Sequence, residues 1–217
     1  ACAEAEQAWN ARLEELRATI AREEATPDER RAALKALETT GEQLKHVFAR
    51  GVALCYSPPT LTEFGAFPDT TLKKFFKDET AQTAYVIGTP APKPAALSLC
   101  RNEREAVQIL VVPLFRDLKN LRVTIPEDLK RKEGGVISTN DVSVARVGYV
   151  TIGPPEYNWH VPKTGEYPDI LFPNDPVDIP ASQDVQPYYV TVFANQNTAA
   201  GDYEGIVRIE ADECPPL

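Results

Sequence analysis

The sequence predicts a mainly β protein: an antiparallel β-sandwich preceded by an α-helical hairpin. Three observations lead there. Residues 3–50 space their apolar side chains at the helical period. From residue 97 onward, short runs rich in Val, Ile, Tyr and Thr alternate with loops bearing Gly, Pro, Asn or Asp. No segment of helical length separates those runs, which disfavours a βαβ sheet and favours antiparallel strands in two layers.

The hairpin comes first. Trp9, Leu13, Leu16 and Ile20 fall on one helical face, with Glu14, Glu15, Arg17, Arg22, Glu23 and Glu24 between them and beyond. "TPDE" restarts the pattern. Thr26 is a natural N-cap, Pro27 suits the first helical position and Glu29 completes a capping box. Leu34, Leu37, Leu44, Val47 and Phe48 form the second stripe, and Gly51 reads as its C-terminal stop. The charges are those of solvated helix faces, and the stripe is too short for a coiled coil. His46 lies beside the stripe as a surface or packing residue. The predicted domains are therefore a helical hairpin over 1–51, a connector over 52–96 and a β-sandwich over 97–217.

The connector is written in turn language: "YSPPT", "GAFPD" and "GTPAPKPAA". Within it, 71–79 carries a short amphipathic segment whose Phe75 and Phe76 are suited to dock on the next domain. The strand segments are "LSLC", "AVQILVVPL", "LRVTI", "VSVARVGYV", "YYVTVFA" and "GIVRIEA". "EDLKRKEGG" offers a helical turn at most. In "TAAGDYEGIVRIEA", Gly201 supplies a tight turn. Tyr203, Gly205, Val207, Ile209 and Ala211 then share one face of a single strand. Tyr203 stands where a sandwich often pins a corner with a phenolic hydroxyl.

Bulk properties bound the function. The 217 residues carry 43% hydrophobic and 25% charged side chains, as in a globular protein. A net charge of -9 argues against nucleic-acid partners. No apolar run reaches the ~20 residues of a membrane-spanning helix. The chain has no Met and reads as a piece of a longer protein. Cys2, Cys55, Cys100 and Cys214 are far apart, without a C-x-x-C or a nearby His. They make a poor metal framework and read as buried or free thiols, disulfides staying open. No nucleophile-elbow or cofactor motif is present: G-x-S-x-G, the P-loop and a strand-linked G-x-G-x-x-G are all missing, and no cofactor is expected.

Several segments together resemble the N-terminal β-sandwich of glycoside hydrolase family 123-like (DUF4091) proteins. They are "TLKKFFKDE" (71–79), "SLCRNEREAVQILVVP" (98–113), "DLKNLRVTI" (117–125), "VSVARVGYV" (142–150), "TGEYPDILFP" (164–173) and "QPYYVTVFANQNTAAGDYEGIVRIE" (186–210). The resemblance covers roughly 70–210 and rests on the order of the pieces. It implies a bacterial, secreted parent, extracellular or periplasmic, in which the sandwich precedes a (β/α)8 catalytic barrel. Such barrels hydrolyse β-linked N-acetylgalactosamine: the substrate's 2-acetamido group attacks, an Asp steadies it and the adjacent Glu is the acid/base. The barrel would be this chain's partner, and its residues are not in this sequence.

No catalytic residue is assigned within the chain. Its Asp-Glu pairs, Asp28-Glu29, Asp78-Glu79 and Asp212-Glu213, fall in a helix cap, a Lys-rich stretch and a terminal linker. None has the burying environment an acid/base needs. Glu103 and Gln108 read as polar groups that bond loop backbone and fix register, with sugar hydroxyls as the alternative ligand. The stretch 153–176 reads as a long loop with ligand-like texture. Tyr157, Trp159, His160 and Tyr167 offer flat faces, and Glu156, Asp169 and Asn174 offer polar groups. Either they pack at a domain interface or under the loop itself, or they contact a glycan, since these uses favour the same residues. The function expected is thus a non-catalytic N-terminal region of a family 123-like glycoside hydrolase. The alternatives are a stand-alone carbohydrate-binding module and a structural or adhesion sandwich.

Overall fold

A computed structural model describes residues 2–56, 63–77, 94–114, 116–153, 165–181 and 183–217; in the helices, side chains are described for 10–41. The chain divides into two compact units, Ala1–Gly51 and Val52–Leu217.

The first unit holds α1 (Cys2–Ala21) and most of α2 (Pro27–Tyr56). The capping box forms as its chemistry dictates. Glu29 N–H donates to Thr26 Oγ1 at 3.3 Å, and Thr26 N–H donates back to the Glu29 carboxylate at 2.7 Å. These bonds from Thr26, with one from Arg22, hold the Glu29 carboxyl below its ordinary value. Arg30 closes the turn by donating to the carbonyls of Arg22 and Glu23 at 3.0 and 3.2 Å. Leu16, Ala33 and Thr40 are buried, whereas Leu34 is half exposed, so the inward stripe of α2 starts one residue earlier than the leucines imply. Gly51 does not stop α2, which continues to Tyr56.

Beyond the last turn of α2, the described residues of the second unit form strands and their connections, with a 3-10 turn at Thr139–Asp141. Its main sheet has the order β1-β2-β9-β6-β7 and every pairing is antiparallel. The strands are β1 (Phe64–Thr70), β2 (Glu103–Pro113), β6 (Val142–Ile152), β7 (Gly165–Pro173) and β9 (Gln186–Ala194). A second sheet runs β11 (Arg208–Glu210), β3 (Leu118–Thr124), β8 (Val177–Ile179). A third runs β10 (Tyr203–Glu204), β4 (Leu129–Arg131), β5 (Val136–Ile137).

Period-2 alternation makes the sandwich. Val107, Ile109 and Val111 of β2, with Tyr188 and Val190 of β9 and Phe64 of β1, form one buried cluster. Leu118, Leu121 and Val123 of β3, Ile179 of β8 and Ile209 of β11 meet them from the second sheet. The other face of the main sheet has its own small core: Phe67, Leu110, Val112, Leu114 and Val185 around Phe75.

Four local expectations change. "GAFPD" is not linker but lies in β1, an edge strand that tolerates Pro68 because an outward edge needs no N–H donor. "LSLC" forms no strand. "EDLKRKEGG" contains β4 and a turn through Gly134 and Gly135, both at positive φ, rather than a helical turn. "GDYEGIVRIE" is two strands in two sheets. The switch falls at Gly205, where an added Cβ would meet Leu129 Cγ at 2.7 Å, so the backbone passes too close for a side chain.

Candidate functional site

Segment 70–77 lies across the outer face of the main sheet as a strap. Phe75 anchors it, 3% exposed, in the small core. Its backbone carbonyls point at polar side chains that the strands present on that face. Gln108 of β2 donates to Thr70 O at 2.7 Å and to Lys73 O at 2.8 Å. Tyr189 of β9 donates to Thr71 O at 3.2 Å, and Tyr149 of β6 to Phe75 O at 3.1 Å. The strap's far end is held by Asp184 N–H on Lys77 O at 3.0 Å and by the Lys77–Glu166 ion pair at 2.9 Å. Burial raises the Tyr189 phenol above its ordinary value, so it stays a neutral donor. Non-helical backbone laid on an apolar face must have its carbonyls satisfied, and four strand and loop residues do this.

The residues singled out from the sequence are placed as follows. Gln108 is buried, and its amide holds the strap. Glu103 accepts from the N–H of Cys100 and closes the turn through Asn102, whose φ is +62°. Tyr203 donates to Ala199 O at 2.9 Å across the turn containing Gly201. Tyr167 sits on β7, not in a loop. It meets the Phe76 ring edge-on at 5.1 Å, with Lys74 Nζ 5.7 Å from its own ring centre. Asp169 is exposed at a bulge of β7: Ile170 pairs with Gly148 and Pro168 with Tyr149, leaving Asp169 the extra residue. Asn174 donates to Val123 O at 2.6 Å. Glu156, Tyr157, Trp159 and His160 lie outside the described residues. Within the expected loop 153–176, Gly165 to Pro173 form a strand, while 154–164 lie outside the described residues; Pro168 and Pro173 are edge-strand prolines, which imitate loop composition.

The acidic pairs have structural duties. Glu29 is in the capping box and Asp28 pairs with Arg31 at 3.2 Å. Asp212 accepts from Asn120, and Glu213 pairs with Arg116 at 3.4 Å. All four are exposed, and Glu29 is shifted in the direction opposite to a general acid. Asp78 and Glu79 lie outside the described residues. Among the described residues no His, Cys, Asp and Glu cluster is arranged to hold a metal ion, and no helix is long and apolar enough to cross a membrane.

The sequence pattern of the family described as glycoside hydrolase 123 N-terminal domain matches residues 82–211. This chain belongs to that family. The family's span starts beyond the strap and takes in β2 to β11, so Gln108, Tyr149 and Tyr189 lie within it while Thr70, Lys73 and Phe75 precede it. A solved structure is similar over 72% of this chain with a TM-score of 0.61 and 15% identity. It comes from a study of glycolipid glycan hydrolysis by a family 123 glycoside hydrolase from Clostridium perfringens. At that identity the likeness is one of fold. The matched part is 26% of that chain's length. No curated protein matches the sequence.

Proposed function

We infer that this glycoside hydrolase 123 N-terminal domain is a non-catalytic buttress for a C-terminal (β/α)8 barrel. The parent's activity is hydrolysis of β-linked N-acetylhexosamine or related glycans, outside the cytoplasm. One observation carries the reading: the chain's adjacent acidic pairs, where described, are exposed and committed to a helix cap and to surface bonds and ion pairs. A glycosidase needs two carboxyls flanking one bond, one of them shielded from water. The sandwich's buried Gln108 and Gln186 are instead spent on its own backbone, and Asp184 is the single buried carboxylate among the described residues, without a second buried one to flank a bond.

The test is thermal inactivation of the longer protein's hydrolase activity, with and without residues 52–217. Loss of the sandwich is expected to shorten the half-life of activity at a temperature the intact protein survives. An unchanged half-life contradicts the buttress.

A further inference from the structure

The inner face of the main sheet is not fully covered by the second sheet. The buried cluster spans β1, β2 and β9, and reaches β6 only through the partly buried Val142 and Val144. No residue of β7 belongs to it. Beyond it, cross-strand pairing aligns Tyr188, Arg146 and Phe172 on three neighbouring strands. Phe172 and Ile170 lie over Gly148: a Cβ there would overlap the Phe172 ring and come within 2.7 Å of Ile170 Cγ2. Ile170 is 42% and Phe172 38% exposed, and Leu171, pointing to the opposite face, is 50% exposed.

The Arg146 guanidinium is 5.0 Å from the Phe172 ring centre. Its Nε is buried without a hydrogen-bond acceptor, and the Tyr188 hydroxyl beside it is buried without a partner. No carboxylate among the described residues pairs with Arg146. A half-buried guanidinium without a counter-ion is costly, and a carboxylate is its natural complement.

We propose that the Arg146–Ile170–Phe172 ledge and the adjoining β7 edge are the docking surface for the C-terminal catalytic domain, which inserts a carboxylate beside Arg146. This rests on the function inferred above. The apolar residues occur on both faces of β7, so the occupant abuts the edge rather than stacking on one face as another sheet would. Pro168 and Pro173 on β7 disfavour simple strand addition, leaving side-chain docking. Three successive exposed apolar residues beside one Arg suit a protein interface better than a saccharide, which calls for convergent polar groups. A second copy of this chain, each at -9, is repelled.

The experiment is hydroxyl-radical footprinting of side chains in this chain and in the longer protein. Labelling of Ile170, Leu171 and Phe172 is expected to drop several-fold in the longer protein. Val136 on β5 and Ile206 between β10 and β11, both 55% exposed, serve as controls and keep their labelling. Arg146→Gln in the longer protein is expected to restore labelling in part. Equal labelling at β7 in both proteins overturns the proposal while leaving the buttress reading in place. A longer protein without a barrel overturns both. Protection of β7 in the short chain by an acidic oligosaccharide, with none gained in the longer protein, assigns the ledge to a glycan and overturns domain docking.

Discussion

The side-chain amide of Gln108 donates to the carbonyl of Thr70 at 2.7 Å, across 38 residues of sequence. With its second bond to Lys73, this one buried side chain fixes where the strap crosses the sheet. Gln108→Leu is expected to cost about 1–3 kcal/mol, since it removes both buried amide bonds that hold the strap's carbonyls. Urea denaturation measures the loss, and faster tryptic cleavage at Lys73 and Lys74 locates it in the strap.

Gly148 is the second sensitive position. Gly148→Ala drives the Phe172 ring off β6 and separates it from Arg146. A cost of about 1–3 kcal/mol is expected from overpacking. In a Phe172→Ala background the same substitution is expected to cost less, and a double-mutant cycle reads the coupling.

Gly201 and Tyr203 shape the turn before β10. Gly201 sits at φ +145°, and an added Cβ would meet Arg131 Cδ at 2.7 Å. Tyr203→Phe removes only the exposed bond to Ala199 and is expected to cost about 0.5–1.5 kcal/mol. Gly201→Ala is expected to cost more, combining backbone strain with the clash. Thermal unfolding of the two variants ranks them.

Asp178 gives a pH signature. It accepts from the N–H of Asn120 and from Lys119 Nζ, each at 3.0 Å, and these bonds hold its carboxyl below the ordinary value. Its contribution to stability is complete above the unfolded aspartate pKa of about 4. That contribution fades as pH falls through the lowered folded value. Asp178→Asn is therefore expected to lower Tm at pH 7, and the gap to the parent sequence is expected to close in strong acid. A gap that widens on acidification contradicts the assignment.

Much of this was legible in the sequence because burial imposes a period. Val107, Ile109 and Val111 alternate with Gln108 and Leu110, and the structure gives both sets a buried face. The capping box at Thr26 and Glu29 is local chemistry and reads directly. The two edges of the main sheet were hidden for a common reason: Pro68 in β1 and Pro168 and Pro173 in β7 signal turns, while an edge tolerates them. The ledge was hidden too, because Arg146, Gly148 and Phe172 become neighbours only through the β6–β7 register. Which carbonyls Gln108 would satisfy depends on a strap 35 and 38 residues away, and no local pattern encodes that.

The most direct measurement is the rate at which this 217-residue chain hydrolyses an aryl β-N-acetylgalactosaminide, beside the longer protein that contains it. The account predicts turnover by the longer protein and only the uncatalysed background rate for the chain alone. Enzyme-like turnover by the chain alone would contradict it.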